Sequence, residues 1–591
     1  MPSASTAPQA QAHQQGRHGV DWAGIGWLYL FFWFFSGVHQ ILLIPSAGGV
    51  GLRNTILVSV IWLAPVLLFP RWTRQISAVL GLVLWAASLV SLGYLYIYGQ
   101  EFSQSVIFII FETNIAEAGE YLGQYFNLWL IVLLSLYSFI AFRLWRRVRP
   151  VYLPRSGAAG AAALLLLSNF GYPYLPSLWS DFSVDTGTRK LLRRMEPTVP
   201  WQLVIGYLKY QNQLTNVQKL LQNNAALPPL ANLRDVSGEL PRTLVLVIGE
   251  STTSRRMSLY GYPRPTTPHL DALQAAGSLS VFDNVITTRP YTIEILQQAL
   301  TFANQRQPGR FPGEPTLMNL MKQAGYKTYW ITNQQTMTRR NTLLTTFSQQ
   351  ADEAYYLNNN RSQNTRQYDE VVLTPFARVL QEDAPKKFIV VHLLGTHSQY
   401  ALRYPDHFDH FTDHEQAPPE LSAAQLETYN SYDNAVRYND FVISRLIETF
   451  SAHQDNGFLL YFSDHGEEVF ADPSHQVLGR NEGAPTRDMY AIPFILWRSP
   501  TWQATHPADF SPILSRKYSN AHLIHTWSDL SGLSYDSFQP ELSLVNPAFA
   551  NSTRWIGDPL AKNGLRDFDA LFKPEPQPSP ARLAAQAQPQ M

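Results

Sequence analysis

Thr243-Leu244-Val245-Leu246-Val247-Ile248-Gly249-Glu250-Ser251-Thr252 is the stretch on which the reading of this chain turns. Its apolar residues run without alternation and stop at Gly249 and Glu250, after which the chain turns polar. A short apolar run ended by a turn signal predicts a strand buried on both faces, as in a parallel sheet. Ligands of such sheets sit outside the carboxyl ends of the strands, which is where Glu250 falls. A second run of the same kind, Gly457-Phe458-Leu459-Leu460-Tyr461-Phe462, ends in Ser463-Asp464-His465-Gly466-Glu467. Two strands remote in sequence would therefore bring Glu250, Asp464 and His465 to one sheet edge. Carboxylates with an imidazole suit a borderline divalent cation, most simply zinc.

Working outward, strands are expected at 243–248, 327–332, 387–393, 457–462 and 492–497, with helical patterns at 268–277, 315–324, 366–382 and 424–452. Strand–helix alternation predicts an α/β domain with a mostly parallel sheet. Between the two strands that bear the candidate ligands, Asn284 to Glu294 reads as a polar turn leading into a helix. His397 and His475 each follow an apolar run or a turn.

The 591 residues exceed one ordinary domain. Only 15% are charged, against roughly 25% in soluble proteins, and the deficit is concentrated before about residue 180. Apolar spans are expected at 22–44, 55–69, 76–98, 126–142 and 157–176, since about 20 apolar residues cross a bilayer as a helix. Arg71 and Arg74 lie between spans two and three, and Arg143, Arg146, Arg147, Arg149 and Arg155 between four and five. The loop between spans three and four instead carries Glu101, Glu112, Glu117 and Glu120. The positive-inside rule puts the N-terminus in the cytoplasm and all that follows span five outside. The expected organisation is a five-helix transmembrane domain at 1–180 and a linker with interfacial helices at 181–240. The α/β catalytic domain follows at 241–572, with a disordered Pro, Gln and Ala-rich tail at 573–591. A net charge of zero gives no electrostatic reason to expect nucleic acid. The absence of cysteine excludes disulfides, thiolate metal sites and a cysteine-derived nucleophile.

Gly249-Glu250-Ser251, Tyr260-Gly261-Tyr262-Pro263-Arg264-Pro265-Thr266-Thr267-Pro268, Ser463-Asp464-His465-Gly466-Glu467 and the Thr113-Asn114-x-x-Glu117-Ala118 loop together resemble the phosphoethanolamine transferases of Gram-negative inner membranes. These belong to the alkaline phosphatase and sulfatase superfamily. The resemblance implies zinc, as one or two ions, held by Glu250, Thr292, Asp464 and His465, with Thr292 as nucleophile. It also implies that His397 and His475 meet a second zinc or the substrate phosphate, that Asn333 and Glu467 lie near the head group, and that Thr113 and Glu117 face lipid. The implied donor is phosphatidylethanolamine and the implied acceptor a lipopolysaccharide, with the core-modifying branch the closer match and lipid A or a periplasmic glucan as the alternative acceptors. Unlike relatives that modify lipid A, this chain has no disulfides and carries Met337 where they have a basic residue, with Arg339 or Arg340 as substitutes.

Each role has a plainer alternative. Glu250 or Thr292 could cap a helix, Thr288 rivals Thr292 as nucleophile, and His475 could be a solvated loop residue. A phosphoglycerol transferase would share this fold and differ in donor. A sulfatase would need a formylglycine precursor in a Cys-x-Pro-x-Arg motif, which a chain without cysteine lacks. A catalytically dead scaffold would have lost ligands that are present here.

Overall fold

A computed structural model of the chain describes residues 20–44, 50–98, 128–178, 184–208, 211, 215, 229–311, 313–335, 346–358, 366–453, 456–561 and 564–572. Thr113, Glu117, Arg339, Arg340 and the expected tail at 573–591 fall outside them. The described residues up to 211 form one compact unit and those from 215 onward a second.

In the first unit four stretches are long and apolar enough to cross a membrane: Trp22–Leu42 (α1), Gly51–Leu68, Pro70–Tyr96 and Leu128–Arg147. Gly51–Leu68 narrows to a 3-10 turn at Ser59–Trp62. Pro65 explains the narrowing, because its ring crowds the carbonyl four residues back and it has no N–H to donate. Thr73–Tyr98 (α2) and Leu128–Arg147 (α3) are joined by polar contacts. Trp85 donates to Ser138 at 2.9 Å and Tyr137 to Ser88 at 2.8 Å, the kind of hydrogen bond that pins helices where lipid offers no partner.

The expected fifth span, 157–176, is not among these four. The helix there, Arg155–Leu166 (α4), stops early and passes into a π-turn at Leu167–Gly171 and a 3-10 stretch at Tyr172–Leu178. Gly171, Pro173 and Pro176 deny a regular helix its last turns. Among the described residues the candidate spans number four, not five.

The second unit is built on a seven-stranded sheet. Its strands in chain order are β1 (Arg242–Gly249), β2 (Leu279–Val281), β3 (Lys327–Gln335), β4 (Glu353–Asn358), β5 (Lys386–His392), β6 (Gly457–Ser463) and β7 (Phe494–Arg498). Across the sheet they lie in the order β2-β7-β6-β1-β5-β3-β4. All run parallel except β7, which is antiparallel to both β2 and β6. Leu246 of β1 lies opposite Val390 on one side and Leu460 on the other, so the strand that opened the reading is central.

Both faces of β1 are covered. Leu244, Leu246 and Ile248 join a core with Phe388, Phe458 and Trp527. Val245 and Val247 join another with Ile389, Ile443 and Tyr461. Two apolar environments explain why the run shows no alternation. The covering helices are α5 (Pro268–Ala275), α6 (Thr292–Ala299), α7 (Leu317–Gln323), α8 (Leu373–Leu380) and α9 (Ala423–Ala452). α9 opens with a capping box, in which Ser422 and Gln425 each satisfy the other's backbone N–H.

Candidate active site

β1 and β6 are paired in register to their last residues, Gly249 opposite Ser463. The next residues, Glu250, Asp464 and His465, therefore emerge side by side. Each offers one ligand atom, and the three atoms lie within 4.8 Å of one another. All three side chains are buried. His465 Nε2 stands 3.1 Å from Glu250 Oε1 and 3.4 Å from Asp464 Oδ2.

Backbone details hold the carboxylates in place. Ser251 takes a positive φ of 59°, which aims its N–H at Asp464 Oδ1 at 3.1 Å and its hydroxyl at Glu250 Oε1 at 3.0 Å. Tyr432, from α9, donates to the Ser251 carbonyl at 2.8 Å and fixes that turn. Gly395 has φ +57°, and a Cβ there would come within 2.6 Å of the Glu250 carbonyl oxygen. Gly395→Ala is therefore expected to cost at least about 1–2 kcal/mol for the left-handed backbone alone. The close contact makes the loss larger and displaces Glu250, so thermal unfolding should show a lower Tm together with weakened metal binding.

Thr292 is the first residue of α6. Its hydroxyl donates to Glu250 Oε2 at 3.0 Å and Oε1 at 3.2 Å, and lies 3.4 Å from His465 Nε2. The N-cap position belongs to Tyr291. The first N–H groups of a helix have no intrahelical acceptor, so an anion beside Thr292 would meet unspent donors. Thr288, the rival, instead donates to Gln298 Oε1 at 2.6 Å.

The other expected site residues divide. His397 is buried and its charge acts on Glu250. Glu467 accepts from Tyr400 at 3.3 Å, and its Oε2 lies 3.5 Å from Arg480. Asn333 does not reach the cluster through its side chain. It donates to Asp369 at 2.8 Å, and Asp369 in turn accepts from the Leu394 and Gly395 backbone. Its neighbour Gln334 is the one that reaches in, donating to Glu250 Oε2 at 3.3 Å and to the Leu393 carbonyl at 2.7 Å. His475 is held elsewhere, with Nδ1 2.7 Å from the Phe470 carbonyl and Nε2 3.8 Å from Glu420. The cation beside His465 is Arg480, whose Nη1 lies 2.7 Å from Nε2. Sequence reasoning missed both Gln334 and Arg480. The irregular pairing of β3 with β4 between Thr332 and Gln335 gives no sign in sequence of which amide turns inward.

The electrostatics are those of a cation site. Burial opposes ionisation of Glu250. Its hydrogen bond and charge interaction with His465, aided by His397 and Arg480, nonetheless hold its carboxyl well below the usual range. Burial and the charge of Glu250 push Asp464 up to about 7. Asp464 Oδ2 is a buried acceptor without a hydrogen-bond donor of its own. His465 Nδ1 sits 2.9 Å from the Gly466 carbonyl. A carbonyl only accepts, so Nδ1 carries a proton, and it is Nε2, facing Glu250 and Asp464, that would give its lone pair to a cation once the proton it shares with Glu250 is displaced. Two crowded carboxylates, an unsatisfied acceptor and an oriented imidazole fit a divalent cation. Because the cation must displace protons from Asp464, pushed up to about 7, and from His465, whose imidazole its carboxylate neighbours also hold above its ordinary value, zinc affinity of the purified protein should fall by about tenfold or more per pH unit below about pH 7, as titration calorimetry at several pH values would show.

A mostly parallel sheet with this cluster at its carboxyl edge defines the class of the second unit. The Sulfatase family model matches residues 242–533. The phosphoethanolamine transferase EptC of Escherichia coli (strain K12) is 56% identical over 94% of this chain and 97% of its own length. The phosphoethanolamine transferase CptA of Salmonella typhimurium is 55% identical over the same shares. The crystal structure of the C-terminal periplasmic domain of E. coli EptC, in complex with Zn, superposes with a TM-score of 0.57 at 63% identity, covering 58% of this chain and 97% of that one. The chain belongs to the phosphoethanolamine transferase family.

Proposed function

We propose that this enzyme moves phosphoethanolamine from phosphatidylethanolamine to a sugar of the lipopolysaccharide core, through a covalent intermediate on Thr292, and releases diacylglycerol. The observation that carries the reading is the placement of the Thr292 hydroxyl, 3.0 and 3.2 Å from the Glu250 carboxylate and 3.4 Å from His465 at the start of a helix. Glu250, Asp464, His465 and the Thr292 oxygen would hold zinc, which when bound lowers the pKa of the hydroxyl and draws charge from the phosphoryl oxygens.

The chain's own residues do the rest. Glu250 orients the hydroxyl, and Gln334 and Ser251 keep Glu250 from turning. As the Thr292 oxygen bonds to phosphorus, the bond from phosphorus to the glycerol oxygen breaks, and the hydroxyl proton ends on the departing diacylglycerol. Arg480, a permanent cation beside His465, faces the charge of the phosphoryl group, with the open N–H groups of the first turn of α6. An acceptor hydroxyl then attacks phosphorus, the bond to Thr292 breaks, and Thr292 regains a proton. His397 and Glu467 border the phosphate or a second zinc.

We assign residues 1–180 to the inner membrane as a multi-pass anchor, 181–240 to a linker, and 241–572 to the periplasm, with Thr113 and Glu117 on the lipid side. The test is diacylglycerol release by the full-length protein from vesicles of phosphatidylethanolamine and of phosphatidylglycerol, with mass spectrometry of Thr292. Release from phosphatidylethanolamine with phosphoethanolamine on Thr292 supports the reading. Release from phosphatidylglycerol alone would make the enzyme a phosphoglycerol transferase.

A further inference from the structure

A cavity of about 220 Å³ opens beside the nucleophile helix, between the Thr288 turn and the C-terminal segment. We infer that this cavity is a subsite for a sugar ring of the acceptor, gripped by Trp555, Phe549, Asn304, Gln307, Gln539 and Arg306. The inference rests on the transfer reaction proposed above and adds where the acceptor is recognised.

The lining chemistry points to carbohydrate. A sugar presents apolar C–H faces and a rim of hydroxyls. Trp555 and Phe549 offer aromatic surface, Gln307 and Gln539 offer amides that both donate and accept, and Asn304 offers its NH2, its oxygen being taken by the Arg306 and Gln307 N–H groups. The indole N–H of Trp555 is buried with no acceptor in the protein. That nitrogen has almost no accessible surface, so it is the ring carbons of Trp555 that would meet a sugar in the cavity. The lining also holds three strong cations. Lys517 and Arg554 are taken up by Asp569, at 3.2 and 2.7 Å. Arg306 is exposed and makes no ion pair among the described residues, which leaves it for an anionic substituent on the sugar.

Hydrogen bonds tie the cavity to the reacting groups. Gln305, in its wall, donates to the Thr288 and Gly557 carbonyls at 3.1 and 2.9 Å, and accepts from Gln298 of α6 at 3.3 Å. On the other side, Asn520 stands between the lining residues Ser519 and Ala521 and donates to the Asp464 carbonyl at 3.3 Å. Gln298 lies six residues along α6 from Thr292, about 9 Å at 1.5 Å per residue. That spacing suits a sugar that neighbours the reacting one, not the reacting one itself. The cavity therefore selects the acceptor while the carboxylate cluster serves the donor.

The two half-reactions separate in the full-length enzyme. Arg306→Ala removes an exposed side chain and leaves the fold intact, and Trp555→Leu keeps apolar bulk while removing the aromatic surface. Diacylglycerol release from phosphatidylethanolamine vesicles and phosphoethanolamine on Thr292 read the donor half. Transfer to purified lipopolysaccharide reads the acceptor half, compared between full-core material and material truncated to its innermost sugars. Both variants should keep donor-half rates within about twofold and lose about tenfold in transfer to full-core acceptor through a raised KM, the size of one lost charged hydrogen bond or one lost aromatic contact. The truncated acceptor should be indifferent to either substitution. Unchanged transfer, or a parallel fall in both halves, would overturn the subsite. Failure of Thr292 to become labelled in the wild type would instead overturn the parent reaction.

Discussion

Thr292→Ala is expected to cut diacylglycerol release from phosphatidylethanolamine by at least about a thousandfold, the scale on which enzymes lose a covalent nucleophile. The reason is positional. No other hydroxyl in the cluster stands both at the start of a helix and within 3.2 Å of two Glu250 oxygens. Ser251 donates to the same carboxylate at 3.0 Å, yet its backbone sits in the strained turn that also holds Asp464. Thr288 is committed to Gln298. Ala fits the first turn of α6, so the variant should fold normally. Glu250, Asp464 and His465 remain, so zinc should still bind, weakened by one ligand. Thr292→Ser keeps the oxygen and should restore most of the activity. Zinc content, Tm and rate measured together decide the matter: loss of rate with metal and fold retained assigns chemistry to the hydroxyl. A Thr292→Ala enzyme that still turned over would place the nucleophile elsewhere.

The sheet was legible because its central strands face two cores and so read as unbroken apolar runs. β1, β5 and β6 fall within a residue of where the pattern puts them. β4 and β2 went unread for a physical reason. β4 is an edge strand whose residues are mostly half-buried, and β2 spans only three residues, so neither carries an apolar signal. α6, by contrast, was visible as a polar turn leading into a helix. The carboxylate and histidine cluster was legible because strand ends converge by geometry, with no need of a local pattern. Gln334 and Arg480 were not. Polar residues in loops and at strand irregularities owe their direction to tertiary packing, and the sequence around His475 resembles a site no less than that around Arg480. The fifth span was read from composition alone. Composition at 157–176 is apolar enough, but the α-helix ends at Leu166 and the chain goes on as a π-turn and a 3-10 stretch through Gly171, Pro173 and Pro176.

Asp464→Asn should have two effects of opposite sign. In the metal-free protein Asp464 is a buried acid beside an ionised Glu250, and its pKa is raised from the ordinary 3.8 to about 7, first by burial and then by that neighbour. A raised carboxyl pKa in the folded state means the fold holds a proton that the unfolded chain has released. Stability therefore falls as pH climbs from about 4 to about 7, and above that the full cost remains. Asn removes this cost. Its side-chain oxygen can still accept from the Ser251 and His465 N–H groups, now at 3.1 and 2.7 Å, and its amide can donate to Glu250. Metal-free Asp464→Asn should accordingly unfold at a higher temperature than metal-free wild type at pH 8, with the gap closing toward pH 4. The same change takes one anionic ligand from the cation, so added zinc should raise the Tm of wild type far more than that of the variant, and transfer should fall by about 10²–10³-fold or more. A structural Asp464 would behave otherwise, with the variant less stable at every pH and zinc stabilising both proteins equally. Differential scanning calorimetry with and without zinc, at pH 5 and pH 8, separates the two. The crossing of the stability order on adding zinc is the signature of a buried charge kept for its ligand and not for the fold.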